Sequence, residues 1–271
     1  MQTFWIGAGW KMNKTVAEAR GYIATLLSLL PETMDEVRLF VVPSFTALSA
    51  VREAIGSRPV LLGAQNMHWA EAGAYTGEIS IGMLLESGVD LVELGHSERR
   101  KMFGETDAAI NRKVKLALRH GLRPLVCVGE SVSERDAGAS AETVVRQVKL
   151  ALSGVSPDDL GRCLVAYEPI WAIGDSGVAA TPQHVRDTHQ EIHEALRELT
   201  PHRVPVLYGG SVDHSNVAQF AGEANVDGLF ISRAAWQPEG FASMIVDAVA
   251  ARIGDIEGYR PQAPEACVRL P

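Results

Sequence analysis

The sequence predicts an α/β protein that folds as a single-domain (β/α)8 barrel, in which eight parallel strands close on themselves. Three observations support this fold class. Short apolar, β-branched runs alternate with longer helical patterns along the whole chain. The strand–helix units repeat roughly every 30 residues, the usual size of a βαβ unit. The length of 271 residues, with no low-complexity linker, suits one barrel domain.

The predicted strands are nearly continuous apolar runs, which is typical of strands buried on both faces of a parallel sheet. In chain order they are FWIG at 4–7, VRLFVV at 37–42, VLLG at 60–63, DLVELG at 90–95, RPLVCVG at 123–129, CLVAYE at 163–168, PVLYGG at 205–210 and DGLFIS at 227–232. We assign residues 1–254 to the barrel. The remaining residues, 255–271, contain three prolines and no periodic pattern, so we expect a C-terminal extension without a role in the chemistry.

The segments between the strands have helical patterns, and the clearest begins after Thr181. Thr181 is a suitable N-cap and Pro182 suits the first helical position. Val185, Ile192 and Leu196 recur on one face of this helix. An open doubly wound sheet is the alternative arrangement. It usually carries G-x-G-x-x-G after its first strand, and GAGWKMN only half matches that pattern, so we favour the barrel.

Composition excludes several classes of protein. The net charge is −8, from 25 lysines and arginines against 33 aspartates and glutamates. This argues against a nucleic-acid or anionic membrane surface, although one small anionic substrate could still be held locally. Cys127, Cys163 and Cys267 are far apart, which argues against a disulfide framework or a zinc site. With no basic signal-peptide region and no run of about 18 apolar residues, we expect a cytoplasmic protein.

Polar residues follow several predicted strands at their carboxyl ends, where barrel enzymes build their active sites. Lys11 follows the first strand, His96 the fourth, and Glu168 ends the sixth. Each residue has an ordinary explanation when taken singly: a solvated lysine, a capping histidine, a helix-capping glutamate. Together they supply a cation, a hydrogen-bond donor and a base. Small or charged residues also end the last two strands, namely Gly209, Gly210, Ser211, Ser232 and Arg233.

Longer motifs extend this pattern and occur in a characteristic order. They are WKMN at 10–13, QN at 65–66, GAYTGEIS at 73–80, LGHSERR at 94–100, VCVGE at 126–130, YEPIWAIG at 167–174, YGGSV at 208–212 and DG at 227–228. With these motifs the sequence resembles the triosephosphate isomerase family over about residues 3–250. The resemblance implies an intramolecular oxidoreductase that moves a carbonyl between adjacent carbons of a small phosphorylated ketose through an enediolate. It implies no cofactor and no metal.

The resemblance also implies roles for individual residues. Glu168 is the base, His96 polarises the substrate carbonyl, and Lys11 stabilises the developing negative charge. Glu98 pairs with Lys11 or relays protons. Thr76 is the tip of a loop that reaches a second subunit, so we expect a homodimer. The residues expected to face the substrate or its phosphate are Gly9, Lys11, Gly174, Ser211, Ser232 and Arg233. The expected lid consists of Pro169, Ile170, Trp171, Ala172, Ile173, Gly174, Asp175, Ser176 and Gly177.

The sequence departs from the family pattern at three places around the substrate. Gly9 stands where the family usually has asparagine, which removes a donor and opens space. The lid segment IGDSGVAATP at 173–182 is one residue longer than usual. Ser232 and Arg233 replace two glycines, whose positive φ would cost a non-glycine residue about 1–2 kcal/mol. Either this turn has changed, or Arg233 has taken over part of the anion binding.

The residues expected to recognise the substrate are altered, whereas Lys11, His96 and Glu168, which are expected to carry the chemistry, are not. This combination indicates a changed substrate. We favour the branch of the family that isomerises L-erythrulose 1-phosphate to D-erythrulose 4-phosphate in erythritol catabolism. These ketoses resemble dihydroxyacetone phosphate with one added hydroxymethyl group, which Gly9 could accommodate. Isomerisation of triose phosphates is the alternative. A non-catalytic scaffold that binds sugar phosphates is an alternative of another class.

Overall fold

The computed structural model describes residues 3–174, 177 and 179–253 of the chain. Eight parallel strands form a closed barrel in chain order, which confirms the predicted fold class. The C-terminal extension at 255–271 and the lid residues Asp175 and Ser176 lie outside the described residues. The strands are β1 (Phe4–Gly9), β2 (Val37–Val42), β3 (Val60–Ala64), β4 (Leu91–Leu94), β5 (Arg123–Val128), β6 (Leu164–Tyr167), β7 (Val206–Tyr208) and β8 (Gly228–Ile231).

Parallel pairing of each strand with the next closes the barrel between β8 and β1. At this closure Trp5 lies opposite Gly228 and Ala8 lies opposite Ile231. Because all eight strands run in the same direction, their carboxyl ends meet at one rim of the barrel. Every polar residue singled out at a strand end is therefore brought to that rim.

Helices surround the barrel, and their ends follow capping signals in the sequence. Thr15 forms a capping box with Glu18. Thr181 accepts a hydrogen bond from the backbone of His184 and Pro182 is the first helical residue, as predicted. The helices of the described residues are α1 (Val16–Leu29), α2 (Leu48–Ile55), α3 (Ile81–Glu86), α4 (Ser97–Phe103), α5 (Asp107–Arg119), α6 (Val132–Asp136), α7 (Ser140–Ala151), α8 (Pro157–Leu160), α9 (Pro182–Leu199), α10 (Val217–Ala221) and α11 (Pro238–Ile253). Short 3-10 turns occupy Phe45–Ala47, Ile170–Ala172 and Arg233–Ala235.

The apolar core has two layers because successive strand residues point to opposite faces. An inner group that includes Phe40, Leu91 and Phe230 fills the barrel. An outer group joins the strands to the helices; Val185, Ile192 and Leu196 of α9 belong to it, as predicted. Among the described residues, no helix combines the length and hydropathy needed to cross a membrane.

Candidate active site

Glu168 follows β6 directly and is held rigidly at the rim. Its backbone N–H donates to the carbonyl of Val128 at 2.7 Å, and the residue is only 3% exposed. Gly209 leaves the room that its side chain occupies, since a Cβ added there would lie 2.9 Å from Glu168 Cγ. The Glu168 Oε2 atom is buried without a hydrogen-bond partner in the described structure. A carboxylate that is aimed but left unpartnered is well suited to remove a proton from carbon.

His96 lies beside Glu168 and caps α4. The backbone N–H of Glu98 donates to His96 Nδ1 at 3.2 Å, so Nδ1 carries no proton and Nε2 of the neutral ring does. His96 Nε2 lies 3.6 Å from Glu168 Oε2. Helix α4 begins at Ser97, directly after His96. The ring therefore presents an N–H donor to the space in front of Glu168, as polarisation of a carbonyl requires.

Lys11 completes the group from the end of β1. Its backbone has a φ of 51°, which is uncommon for a residue other than glycine, and its carbonyl accepts from Gln65 Nε2 at 2.7 Å. Lys11 Nζ donates to Glu98 Oε1 at 2.7 Å. Burial acts to raise the pKa of Glu98, but the hydrogen bond from Lys11 and the positive charge of Lys11 lower that pKa. Lys11 is thus fixed as a cation at the rim.

The first of two adjoining cavities, here called the lid cavity, lies under the expected lid. It has a volume of about 210 Å³. The predicted phosphate-binding residues line it, namely Lys11, Gly174, Ser211, Ser232 and Arg233. Ser232 has a φ of −103°, so this turn does not adopt the left-handed conformation of a glycine. Ser232 therefore does not bear the strain that a positive φ would impose on a residue other than glycine.

The second cavity, here called the inner cavity, has a volume of about 250 Å³ and extends into the barrel. Gly9, Glu93, His96 and Phe230 are among the residues that line it, and it shares Lys11, Glu98 and Ser232 with the lid cavity. Space at Gly9 itself is limited. A Cβ there would lie 3.1 Å from the Phe230 ring and 3.5 Å from Ser232 Oγ. The Phe230 ring thus occupies part of the space that a side chain at position 9 would fill.

The start of the expected lid is tied to Glu130, a fully buried residue after β5. The indole of Trp171 donates to Glu130 Oε1 at 2.6 Å, and the hydroxyl of Tyr167 donates to the same atom at 3.1 Å. The far side of the lid is held by Arg233, whose Nη2 donates to the carbonyl of Gly174 at 2.6 Å. Gly174 has a φ of 92°. Both ends of the described lid therefore have specific anchors.

Two of these residues were missed by the sequence-based prediction. Glu130 ends the motif VCVGE at 126–130, from which no role for it was predicted. Glu93 was passed over as a member of strand DLVELG, although a lone acidic residue within an apolar run was a usable signal. Glu93 shares the inward face of β4 with Leu91, is 6% exposed, and accepts a long hydrogen bond of 3.8 Å from Cys127 Sγ.

One donor atom each of Glu93, His96 and Glu168 lie within 4.8 Å of one another, a grouping that could contact a cation. The expectation from the sequence is that no metal is bound. Because His96 Nδ1 already accepts from the backbone, the ring could bind a metal ion only through Nε2 after losing that proton. With this tautomer, the carboxyl groups of Glu93 and Glu168 lie near the Nε2–H donor of His96.

Thr76 lies away from these residues, in a segment at 71–78 that is exposed throughout. Its neighbour Tyr75 is 44% exposed, and the nearby Phe103 on α4 is 68% exposed. Cys127 and Cys163 are buried free thiols, whereas Cys267 lies outside the described residues.

Comparison with known proteins agrees with this geometry. The family model described as triosephosphate isomerase matches residues 4–248. An L-erythrulose-1-phosphate isomerase of Mesorhizobium japonicum is 46% identical over 92% of this chain and 98% of its own length. Proteins with the same name from Rhizobium rhizogenes and Mycolicibacterium smegmatis are 44% and 46% identical, over 93% and 91% of this chain and 97% and 93% of their own lengths.

Proposed function

This chain belongs to the triosephosphate isomerase family, and from that membership we propose that it interconverts L-erythrulose 1-phosphate and D-erythrulose 4-phosphate. One structural observation carries the proposal. Lys11 lines both cavities, and His96, which lines the inner one, lies 3.6 Å from Glu168, so a phosphate can occupy the lid cavity while the far end of a four-carbon ketose enters the inner cavity. The relatives at 44–46% identity carry this activity in their names.

The reaction needs one proton to move between neighbouring carbons. Glu168 removes the proton from C3 of L-erythrulose 1-phosphate, and the C2 carbonyl oxygen becomes an enediolate oxygen. His96 Nε2–H donates to that oxygen, and the Lys11 ammonium stabilises its negative charge. Return of a proton to C2 while the C3 hydroxyl loses its own gives the C3 ketone, which is D-erythrulose 4-phosphate. The electron pairs stay within the substrate, so its oxidation and reduction balance without a redox partner.

The phosphate is assigned to the lid cavity. The small residues Gly174, Gly210 and Ser211 line it, and backbone N–H groups at such residues suit a dianion, while Arg233 and Lys11 add positive charge. When the lid closes over the substrate, it excludes water from the enediolate. The anchors at Glu130 and Arg233 place the described parts of the lid beside this cavity.

A homodimer is part of the same proposal. The exposed segment at 71–78 and the apolar side chains of Tyr75 and Phe103 support it, because contiguous exposed apolar surface favours association. Sedimentation should then give about twice the chain mass of 29.2 kDa; one chain mass at micromolar concentration would contradict it. We place the enzyme in the cytoplasm, since the buried free thiols of Cys127 and Cys163 suit a reducing compartment. The proposed substrate would place it in erythritol breakdown.

The proposal is tested by following purified protein and L-erythrulose 1-phosphate in D2O by ¹H and ³¹P NMR. We expect D-erythrulose 4-phosphate to appear, with deuterium at the carbon that is reprotonated. Glu168→Asp withdraws the carboxylate by about 1 Å and should slow conversion about 100-fold. Glu191→Asp, the same change at an exposed position on α9, should leave the rate unchanged.

Two results would contradict the proposal. Absence of any conversion by the wild-type protein would remove the proposed reaction. Conversion by Glu168→Asp at the wild-type rate would remove Glu168 as the base. Binding of inorganic phosphate, measured by calorimetry, should be similar in both variants and shows that the lid cavity is intact.

A further inference from the structure

Glu93 is a buried acidic residue that the proposed reaction does not use. It lines the inner cavity and shares the interior of the barrel with the apolar residues Leu91, Leu125 and Phe230. Its long contact with the thiol of Cys127 is a weak hydrogen bond. Burial of a carboxyl with so weak a hydrogen-bond partner costs free energy. Packing in the barrel core does not explain why an acidic residue stands here, so we expect a role in the site.

The position of the inner cavity suggests that function. The lid cavity takes the phosphate in the proposed reaction, and Lys11 is shared by both cavities. A substrate that extends from the phosphate past Lys11 and His96 must place its far end in the inner cavity. In L-erythrulose 1-phosphate the carbon that loses its proton carries an additional hydroxymethyl group, where dihydroxyacetone phosphate has only hydrogen.

We propose that Glu93 binds the terminal hydroxyl of the four-carbon substrate and thereby selects it over three-carbon ketose phosphates. This inference rests on the proposed function. A site built to hydrogen-bond a substrate hydroxyl discriminates against analogues that lack it, since its buried polar group is then left unpartnered. Phe230 and Gly9 also line this cavity, whose buried polar residues are Asn66, Glu93 and His96. His96 is assigned to the carbonyl, and Asn66 accepts a hydrogen bond from Lys113. Glu93 is therefore the buried polar group left for the hydroxyl.

The protonation state of Glu93 agrees with this role. Burial raises the pKa of its carboxyl to about 7. Its like-charged neighbour Glu168 has to be ionised to act as the base, and two carboxylates this close disfavour joint ionisation. Below about pH 7 Glu93 therefore keeps a proton and can donate a hydrogen bond. The titratable groups that face it are His96 after β4, Cys127 on β5, Glu168 after β6, Lys11 after β1 and Glu98 on α4.

The test compares Glu93→Leu and Glu93→Gln with the wild-type protein. Glu93→Leu removes the polar group, and we expect kcat/KM for L-erythrulose 1-phosphate to fall about 10- to 200-fold. The inhibition constant of dihydroxyacetone phosphate should change by no more than about threefold, because that ligand does not reach Glu93. Glu93→Gln keeps an N–H donor of the same shape and should retain most of the activity.

A pH profile separates hydrogen bonding from packing. In the wild-type protein, kcat/KM for L-erythrulose 1-phosphate should decline as the pH rises through about 7, because Glu93 then loses the proton that it donates. This decline should disappear in Glu93→Gln, whose amide keeps its donor at every pH. A thermal melt of each variant shows whether it is folded.

Three results would overturn the inference. The first is an unchanged kcat/KM for L-erythrulose 1-phosphate in Glu93→Leu. The second is a fall in that kcat/KM matched by an equal loss of affinity for dihydroxyacetone phosphate, which would make Glu93 a positioning residue. The third is an alkaline decline that persists in Glu93→Gln. In each of these cases wild-type turnover of L-erythrulose 1-phosphate still supports the proposed function, whereas absence of that turnover would overturn both.

Discussion

At the scale of single residues, a few short contacts decide which groups can carry protons. The backbone N–H of Glu98 fixes the His96 tautomer, and the Lys11 ammonium is paired with the Glu98 side chain. Glu168 has one carboxylate oxygen that no described residue contacts by a hydrogen bond. The three proposed catalytic residues thus differ in their hydrogen bonding, and each difference matches the role proposed for it.

The raised pKa of Glu93 also predicts how stability depends on pH. The folded protein binds the Glu93 proton more tightly than the unfolded chain does. The protonated carboxyl therefore stabilises the folded state fully below the pKa that Glu93 has in the unfolded chain, 4.5. This stabilisation is lost as the pH rises through about 7. Glu93→Gln should therefore raise the melting temperature relative to wild type more at pH 8 than at pH 5. Each kcal/mol corresponds to about 2–4 °C for a protein of this size.

Thermal unfolding followed by circular dichroism at the two pH values provides the measurement. Glu86→Gln on α3 is the matched control, since Glu86 is exposed and its replacement should shift both melting temperatures equally. A difference between Glu93→Gln and wild type that is the same at pH 5 and pH 8 would show that Glu93 does not titrate between them.

The same residues show what sequence can and cannot reveal about the site. Lys11, His96 and Glu168 could be predicted because each follows a separate strand, and parallel strands bring such positions to one rim. Glu93 could not be assigned from its strand alone, because its surroundings depend on which residues of β5, β6 and β8 face it across the barrel. Similarly, the free volume at Gly9 depends on Phe230, which is distant in sequence.

At the scale of structural elements, the lid depends on contacts with two neighbouring turns. Trp171 and Tyr167 both donate to Glu130 after β5, and Arg233 after β8 donates to the Gly174 carbonyl. These contacts join the lid to strand ends on both sides. Arg233 therefore has a second role beside the anion binding expected from sequence, since it lines the lid cavity and contacts the lid.

Arg233→Ala should weaken the binding of inorganic phosphate and raise KM for the sugar phosphate. A charge-assisted hydrogen bond contributes about 1.5–3 kcal/mol, which corresponds to about a 10- to 150-fold loss. Arg233→Lys keeps the charge without the guanidinium fork, so it should recover part of the phosphate affinity. Calorimetry with phosphate and steady-state kinetics check both variants. Unchanged affinity in Arg233→Ala would exclude Arg233 from the anion site.

At the scale of the whole molecule, the predicted barrel and the eight strands are confirmed, with strand ends displaced by only one or two residues. Apolar runs bounded by turns made this possible because every strand is buried on both faces. Short helices such as α6 and α8 were not assigned, since four or five residues hold too little periodicity to predict. Both begin at a serine N-cap, Ser131 for α6 and Ser156 for α8.

The barrel also reconciles a net charge of −8 with an anionic substrate. Lys11 and Arg233 lie 222 positions apart in sequence, yet both line the lid cavity. Positive charge is thus concentrated where the phosphate is proposed to bind, while the acidic excess is spread over the rest of the chain. Local charge, and not the sum, decides which small anion is bound.

The central claim is that this barrel is an isomerase of four-carbon ketose phosphates. The most direct measurement is the ratio of kcat/KM for L-erythrulose 1-phosphate to kcat/KM for dihydroxyacetone phosphate, with the same wild-type preparation at pH 7. A buried group that recognises the extra hydroxyl predicts a ratio of at least about 100. A ratio well below 1 would identify a triose-phosphate isomerase with an altered phosphate turn. Turnover of neither substrate would identify a sugar-phosphate-binding protein, and would contradict the claim altogether.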